Sequence, residues 1–200
     1  MNLTLLSGGG EGRLSFVRLA QTAFAFLLRH GFVMVNSDST FVRFESPTVF
    51  INVSHGRLSY HVDAEIGRLV QGDIYSIYEV LSVMAPSEVA RSQCQTTAAD
   101  VLERCLTDIA DVLDRCCQHL LSGDNSAFDR LQLGVAPIRA AVTLKAQFGA
   151  TIDRADRAWE AKDIRQAQIL YEEAEAGLDE MRSRRLKYLR EHQSGTLFWS

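Results

Sequence analysis

The sequence predicts an α+β fold: an N-terminal helix packed on a four-stranded antiparallel meander, a helical middle, and a C-terminal long αα-hairpin. Three observations predict it. Apolar residues recur at helical spacing over 14–30. Four short runs between 32 and 67 alternate with a period of two, and their connections are too short for anything but antiparallel neighbours. From residue 71 the helical period returns, and after Ile169 β-branched residues nearly vanish.

In the first helix Leu14, Val17, Ala20 or Gln21, Phe24 and Leu28 form a stripe that Phe16, Ala23, Phe26 and Leu27 widen. So wide a face suits a helix lying flat on a sheet. His30-Gly31 ends it, with a cation in the last turn followed by the residue that tolerates a left-handed cap. The strands follow as FVMVN (32–36), TFVRFE (40–45), TVFINVS (48–54) and RLSYHVDAEIG (57–67). They are separated by Ser37-Asp38-Ser39, Ser46-Pro47 and a hairpin at His55-Gly56.

A helix over 71–85 is expected next, with Asp73 as N-cap and Pro86 beyond its end. A long helix over 96–122 can be capped by Thr97 and stopped by Gly123. A short one over 126–133 is closed by Gly134. Two long helices, 137–160 and 164–192, meet at Ala161-Lys162-Asp163. Residues 1–135 carry ten Lys and Arg against fifteen Asp and Glu, whereas 136–200 carry eleven against ten. With Gly134 and Pro137, that shift places a boundary near 135. The domains read as a flexible arm (1–13), an α+β domain (14–135), a helical hairpin (136–193) and an apolar tail (194–200).

The 200 residues, 46% apolar and 23% charged, are those of an ordinary globular chain. The net charge of −4 gives no general attraction to nucleic acid or anionic lipid. The N-terminus MNLTLLSGGGEGRL lacks a basic region before its apolar run, and no 18-residue apolar stretch occurs. A cytoplasmic location without membrane attachment is expected. The four cysteines are then expected to be free thiols. Cys94, Cys105 and Cys116 recur every 11 residues, so they fall near one stripe of a helix, with Cys117 beside it. Cys116 and His119 could share a metal, but no CxxC pair or second His completes a set, and neither metal nor cofactor is expected.

Strand parity divides the sheet into two faces. Val42, Phe44, Val49, Ile51, Val53, Leu58, Tyr60, Val62 and Ile66 are expected inward. Phe41, Arg43, Glu45, Phe50, Asn52, Ser59, His61, Asp63 and Glu65 are expected outward. An antiparallel sheet can leave one face in water. Two outward phenylalanines among acids and an arginine suit a protein-binding face, apolar points inside a polar rim. The partner-binding residues are then Phe41, Arg43, Glu45, Phe50, Asn52, His61, Asp63 and Glu65. The alternative takes His61, Asp63 and Glu65, at i, i+2 and i+4, as divalent-metal ligands of a small hydrolase or nuclease-like enzyme. That chemistry requires a helix to roof the face and exclude water.

Three further features carry weaker signals. Gly8-Gly9-Gly10 and Gly12 lack the strand before and the Lys-Ser/Thr after that a phosphate loop needs. Arg182, Arg184, Arg185, Lys187 and Arg190 crowd the end of the last helix. There the macrodipole favours cations, and acids at 172, 173, 175, 179 and 180 can pair with them. Nucleic-acid binding is not expected from that patch. The tail ends on Leu197, Phe198 and Trp199, which suit docking in a groove.

AKDIRQAQILYEEAEAGL (161–178), with Ala167, Tyr171 and Ala174 at spacings 0, 4 and 7 and Ala155 before them, resembles the second helix of a tetratricopeptide repeat. Ala158 stands where that pattern has an aromatic, and there is one unit only, so an isolated hairpin is implied. Residues 16–130 weakly resemble small uncharacterised bacterial proteins and immunity proteins of polymorphic-toxin systems. The shared features are the apolar helix ending in FLLRHGF, the hairpin VFINVSHGRLSYHV and the helix-break-helix LLSGDNSAFDRL. The resemblance implies a non-enzymatic bacterial protein that binds and neutralises a toxin. The expected function is protein–protein interaction or self-association. The metal-dependent enzyme is one alternative, and a helical oligomerisation or regulatory protein with an interface at 137–192 is another.

Overall fold

The computed structural model describes residues 11–193, with side chains placed for 16–191. Gly8 to Gly10 and the tail residues Leu197, Phe198 and Trp199 lie outside the described residues. The protein is α+β, with one antiparallel sheet among helices. It divides into two compact units, Met1–Val135 and Ala136–Ser200.

In the first unit α1 (Glu11–Ala23) continues into a 3-10 stretch, Phe24–His30. The helix therefore already includes the last residues of the expected arm. Phe16, Ala20, Phe24 and Leu27, three or four residues apart, are buried. Gly31 ends the stretch at φ 77°, and its N–H reaches the carbonyls of Leu27 and Leu28. The meander follows: β1 (Val33–Asp38), β2 (Phe41–Glu45), β3 (Val49–His55) and β4 (His61–Arg68), each antiparallel to the one before. β1 forms the sheet edge and all its residues are exposed. The Asp38 carboxylate accepts the Thr40 N–H at 2.7 Å and tightens the turn into β2.

Register places Val42 opposite Val53, Phe44 opposite Ile51, Ile51 opposite Ile66 and Val53 opposite Ala64. All these residues are buried in the core, together with Leu106, Ile109 and Leu113 of α3 (Ala99–Cys116). Arg29 at the end of the 3-10 stretch donates to Asp114 of α3 at 2.7 Å.

The run RLSYHVDAEIG is a strand only from His61. Arg57 to Ser59 turn the chain, Tyr60 has φ 53°, and Leu58 is 93% exposed rather than inward. Gly56 N–H to His61 O and Tyr60 N–H to Gly56 O close this longer turn, so the hairpin is not the two-residue kind. Thr96 N–H donates to Tyr60 O and holds the turn from the other side.

The expected helix 71–85 is also shorter. Ile74–Ser76 is a strand, β5, pairing with β4, and α2 spans Ile77–Met84. Ser76, not Asp73, is the N-cap, in a reciprocal capping box with Glu79. Asp73 instead receives Arg68, through Nε at 2.9 Å and Nη2 at 2.6 Å. Arg68 is buried, also donates to Asn125, and stacks over Phe128.

After a 3-10 stretch, Pro86–Ser92, comes β6 (Cys94–Gln95), which also pairs with β4. Two cysteines depart from the expectation of free thiols. Cys94 lies in β6, ahead of α3, and is joined to Cys105 as a disulfide with Cα atoms 6.0 Å apart. Cys116 and Cys117 are free. α4 (Gln118–Leu121) follows, and Gly123 turns the chain at φ 78°.

α5 spans Asn125–Glu160 with Gly134 and Pro137 inside it, so the two helices expected on either side of 135 are one. Gly134 is placed by a close approach: a Cβ there would stand 2.6 Å from a Val83 methyl. In the second unit, α6 (Ile164–Glu173), a 3-10 turn at Glu175–Gly177 and α7 (Glu180–Gln193) replace the expected single helix 164–192. Gly177 lies against the Phe148 ring, Leu178 is extended, and Asp179 accepts the Arg182 N–H to restart the helix. Ala155, Ala167, Leu170, Tyr171, Leu186 and Leu189 form this unit's core. Among the described residues no helix is long and apolar enough to cross a membrane.

The helical glycines of α5 should respond with opposite signs. Gly149→Ala meets open space and should gain about 0.5–1 kcal/mol from helix propensity. Gly134→Ala must displace Val83 and should lose about 1–2 kcal/mol in urea denaturation.

Candidate functional site

Register turns the outward residues of the sheet into rows. Glu45 lies opposite Phe50, and Phe50 opposite Gly67. Arg43 lies opposite Asn52, Asn52 opposite Glu65, and Glu65 opposite Ser76 of β5. Phe41 lies opposite Ser54, and Ser54 opposite Asp63.

The middle row is hydrogen-bonded from strand to strand. Arg43 Nε donates to Glu45 Oε1 at 2.6 Å, and Arg43 Nη1 donates to Asn52 Oδ1 at 3.1 Å. Asn52 Nδ2 donates to Glu65 Oε2 at 3.0 Å. All four side chains are half-buried, so the row holds its charges at set positions. Phe50 was expected to be an exposed contact, but it is only 4% exposed. Its ring occupies the space above Gly67, where a Cβ would strike it, and the Arg43 guanidinium covers it at 4.0 Å. Phe41 is half-buried. The outward face thus offers a cation stacked on an aromatic rather than two bare phenylalanines.

Beyond this row the sheet opens. β5 pairs with Glu65 to Gly67 of β4, and β6 pairs with His61 and Val62. Between them, among the described residues, Asp63 and Ala64 have no strand partner on that edge, and a cleft of about 410 Å³ lies there. It is lined by His61, Asp63, Ser76, Ile77, Tyr78 and the segment 92–95. The Asp63 carboxylate accepts the Ala64 N–H at 2.8 Å, supplying an acceptor that no neighbouring strand provides in the interval. Burial raises the Asp63 pKa above the usual carboxylate value, and Glu65 and Glu79 add to the rise. The Ala64 N–H and His61 oppose it. His61 is exposed.

His61, Asp63 and Glu65 share one face of β4, and the Glu65 carboxylate is engaged by Asn52. Among the described residues no group of three or more His, Cys, Asp or Glu side chains is placed to hold an ion. Ser59 lies in the turn before β4, where its carbonyl accepts from Gln95.

The cleft residues Ser76, Tyr78, Gln93 and Gln95 were not anticipated from sequence. Ser76-Ile77-Tyr78-Glu79 does carry a capping-box spacing that marks Ser76 as a helix start. The two residues of β6 carry no periodic signal.

In the second unit the residues of the expected basic patch are paired with acids. Arg182 donates to Asp156 Oδ2 at 2.7 Å and also pairs with Asp179. Arg185 reaches Asp156 Oδ1 at 3.1 Å and lies over Trp159. Arg184 pairs with Glu180, Lys187 with Glu191, and Arg190 with Glu172 and Glu175. Tyr171 donates its hydroxyl to Asp156 at 2.6 Å. Burial would raise the Asp156 pKa, but the two guanidiniums and the phenol outweigh it and hold the carboxyl below its usual value.

Two carboxylates should therefore respond oppositely to pH. The folded pKa of Asp63 lies above its unfolded value, so its contribution to stability falls as pH rises through the interval between them. Asp63→Asn should melt above wild type at pH 7 and level with it below pH 3. The folded pKa of Asp156 is depressed, so its contribution is present above the unfolded value and lost as pH falls through the folded one. Asp156→Ala should cost about 2 kcal/mol in chemical denaturation at pH 7, discounted for partial exposure, and progressively less under acid.

Compared with protein-family models, curated proteins and solved structures, the chain matches none of them.

Proposed function

We propose that the protein is a non-enzymatic interaction module that takes a protein partner on the outer face of its sheet, with the cleft beside β4 as anchor. The observation that carries this is the fixed row Arg43–Asn52–Glu65 running up to an open cleft. Charged side chains already held in place lose little freedom when a partner arrives, so more of the contact energy appears as affinity. The Arg43–Phe50 stack and Tyr78, which is 44% exposed on the cleft wall, are the kinds of group that dominate binding energy. A bacterial toxin is the partner class to test first, on the weak likeness of the FLLRHGF, VFINVSHGRLSYHV and LLSGDNSAFDRL segments to immunity proteins.

Tyr78→Ala tests this directly. The tagged protein is used to capture a partner, and the purified partner is titrated calorimetrically against wild type, Tyr78→Ala and the control Leu133→Ala. The cleft variant should lose about 30-fold in affinity, as a 2 kcal/mol contact implies, while its melting temperature holds. Equal affinities for all three proteins would remove the cleft from the interface.

The raised pKa of Asp63 beside His61 favours a second reading, general acid–base chemistry in the cleft without Glu65. It differs in outcome, since Asp63→Asn would then abolish turnover of a bound molecule while leaving its binding intact.

A further inference from the structure

The cleft wall formed by 92–95 is attached in an unusual way. Its strand, β6, is two residues long and has two ladder pairings, His61 with Gln95 and Val62 with Cys94. Nearby bonds run from Gln95 to Ser59 O, from Thr96 N–H to Tyr60 O, and between His55 and Thr96 O at 2.9 Å. These hold the end of the wall to the turn before β4. The wall is tied to the helical layer through Cys94, bonded to Cys105 in the middle of α3. Cys105 is buried, whereas Cys94 is half-exposed and lines the cleft. The bond therefore joins α3 to a two-residue strand, and its Cys94 end lies on the wall of the proposed binding site.

We propose that the Cys94–Cys105 disulfide is a reversible redox latch on this cleft, regulating the same site and resting on the reading of that site as the binding anchor. Oxidised, it holds the 92–95 wall against β4. Reduced, it frees the wall and opens the β4 edge at His61 and Val62. The reductant is a dithiol. One thiolate attacks Cys94 Sγ, the S–S bond breaks, and Cys105 leaves as a thiolate that takes a proton from water. The second thiol of the reductant then displaces Cys94 and closes its own disulfide. Two electrons and two protons pass from the dithiol to the protein. Cys117 does not compete as an internal attacker: it is buried, and burial pushes its thiol up to about 12. The crosslinked cysteines are only eleven residues apart, so opening removes a modest constraint and leaves the rest of the core in place.

The test uses the full chain, oxidised with glutathione disulfide or reduced with dithiothreitol. Non-reducing peptide mapping should find Cys94 linked to Cys105, with Cys116 and Cys117 alkylated. Hydrogen exchange should show amides of 91–97 and 61–64 exchanging at least about tenfold faster after reduction, with β2 and β3 unchanged. A Cys94→Ser, Cys105→Ser double variant should match the reduced protein under both conditions. Absence of the linked peptide, or linkage without a change in exchange at the cleft, would overturn the latch. If the double variant fails to fold, wild type with and without dithiol still decides. Neither measurement needs a partner, so the latch can fail while the binding reading stands, and the reverse.

Discussion

The first unit depends on the register of β3 against β4, which sets Val53 opposite Ala64 and Asn52 opposite Glu65. A slip of one residue would turn Val62, Ala64 and Ile66 out of the core and drive His61, Asp63 and Glu65 into it. That register is held on the core side by aliphatic residues with almost no exposure. On the other side it is held by Phe50, whose ring needs a residue without a side chain opposite, and Gly67 is there. The two faces thus specify the same alignment by different means, one by burial and one by shape. Arg43, which covers Phe50 and bonds to Asn52, joins the apolar and polar parts of the outer face.

The cleft is a consequence of how β4 ends its pairing. β1 to β4 pair along most of their length, but the far edge of β4 is served by two short strands with a gap between them. An exposed edge in such a gap leaves backbone groups needing partners. Asp63 supplies one from its own side chain and is thereby held partly buried, which raises its pKa. One local requirement, satisfying the Ala64 N–H, therefore places a carboxylate with an unusual proton affinity on the wall of an open cavity.

The second unit applies the same electrostatic economy to a different end. Its cluster of arginines is matched by acids, and Asp156 gathers Arg182, Arg185 and Tyr171 at one carboxylate. Tyr171 is fully buried with its hydroxyl satisfied, so it fills the space between helices at little polar cost. The cations are thus part of the unit's own structure, which leaves less of their charge for an outside anion.

Local pattern determined the elements that rest on periodicity and short connections. The first helix and its glycine end, the antiparallel order of β1 to β4, and the inward parity of Val42, Phe44, Ile51, Val53 and Ile66 were all legible, because each follows from neighbours a few residues apart. The capping box at Ser76 and Glu79 was also present to be read. Tertiary structure alone decided what depends on residues far apart. Phe50 is buried because Gly67 lies opposite it. Asp156 holds its proton less readily than an ordinary carboxyl because two arginines of a later helix reach it. Cys94 is bonded because a two-residue strand brings it to Cys105. β5 and β6 are too short to carry a period, so the cleft they frame exists only once β4 has both of them as neighbours.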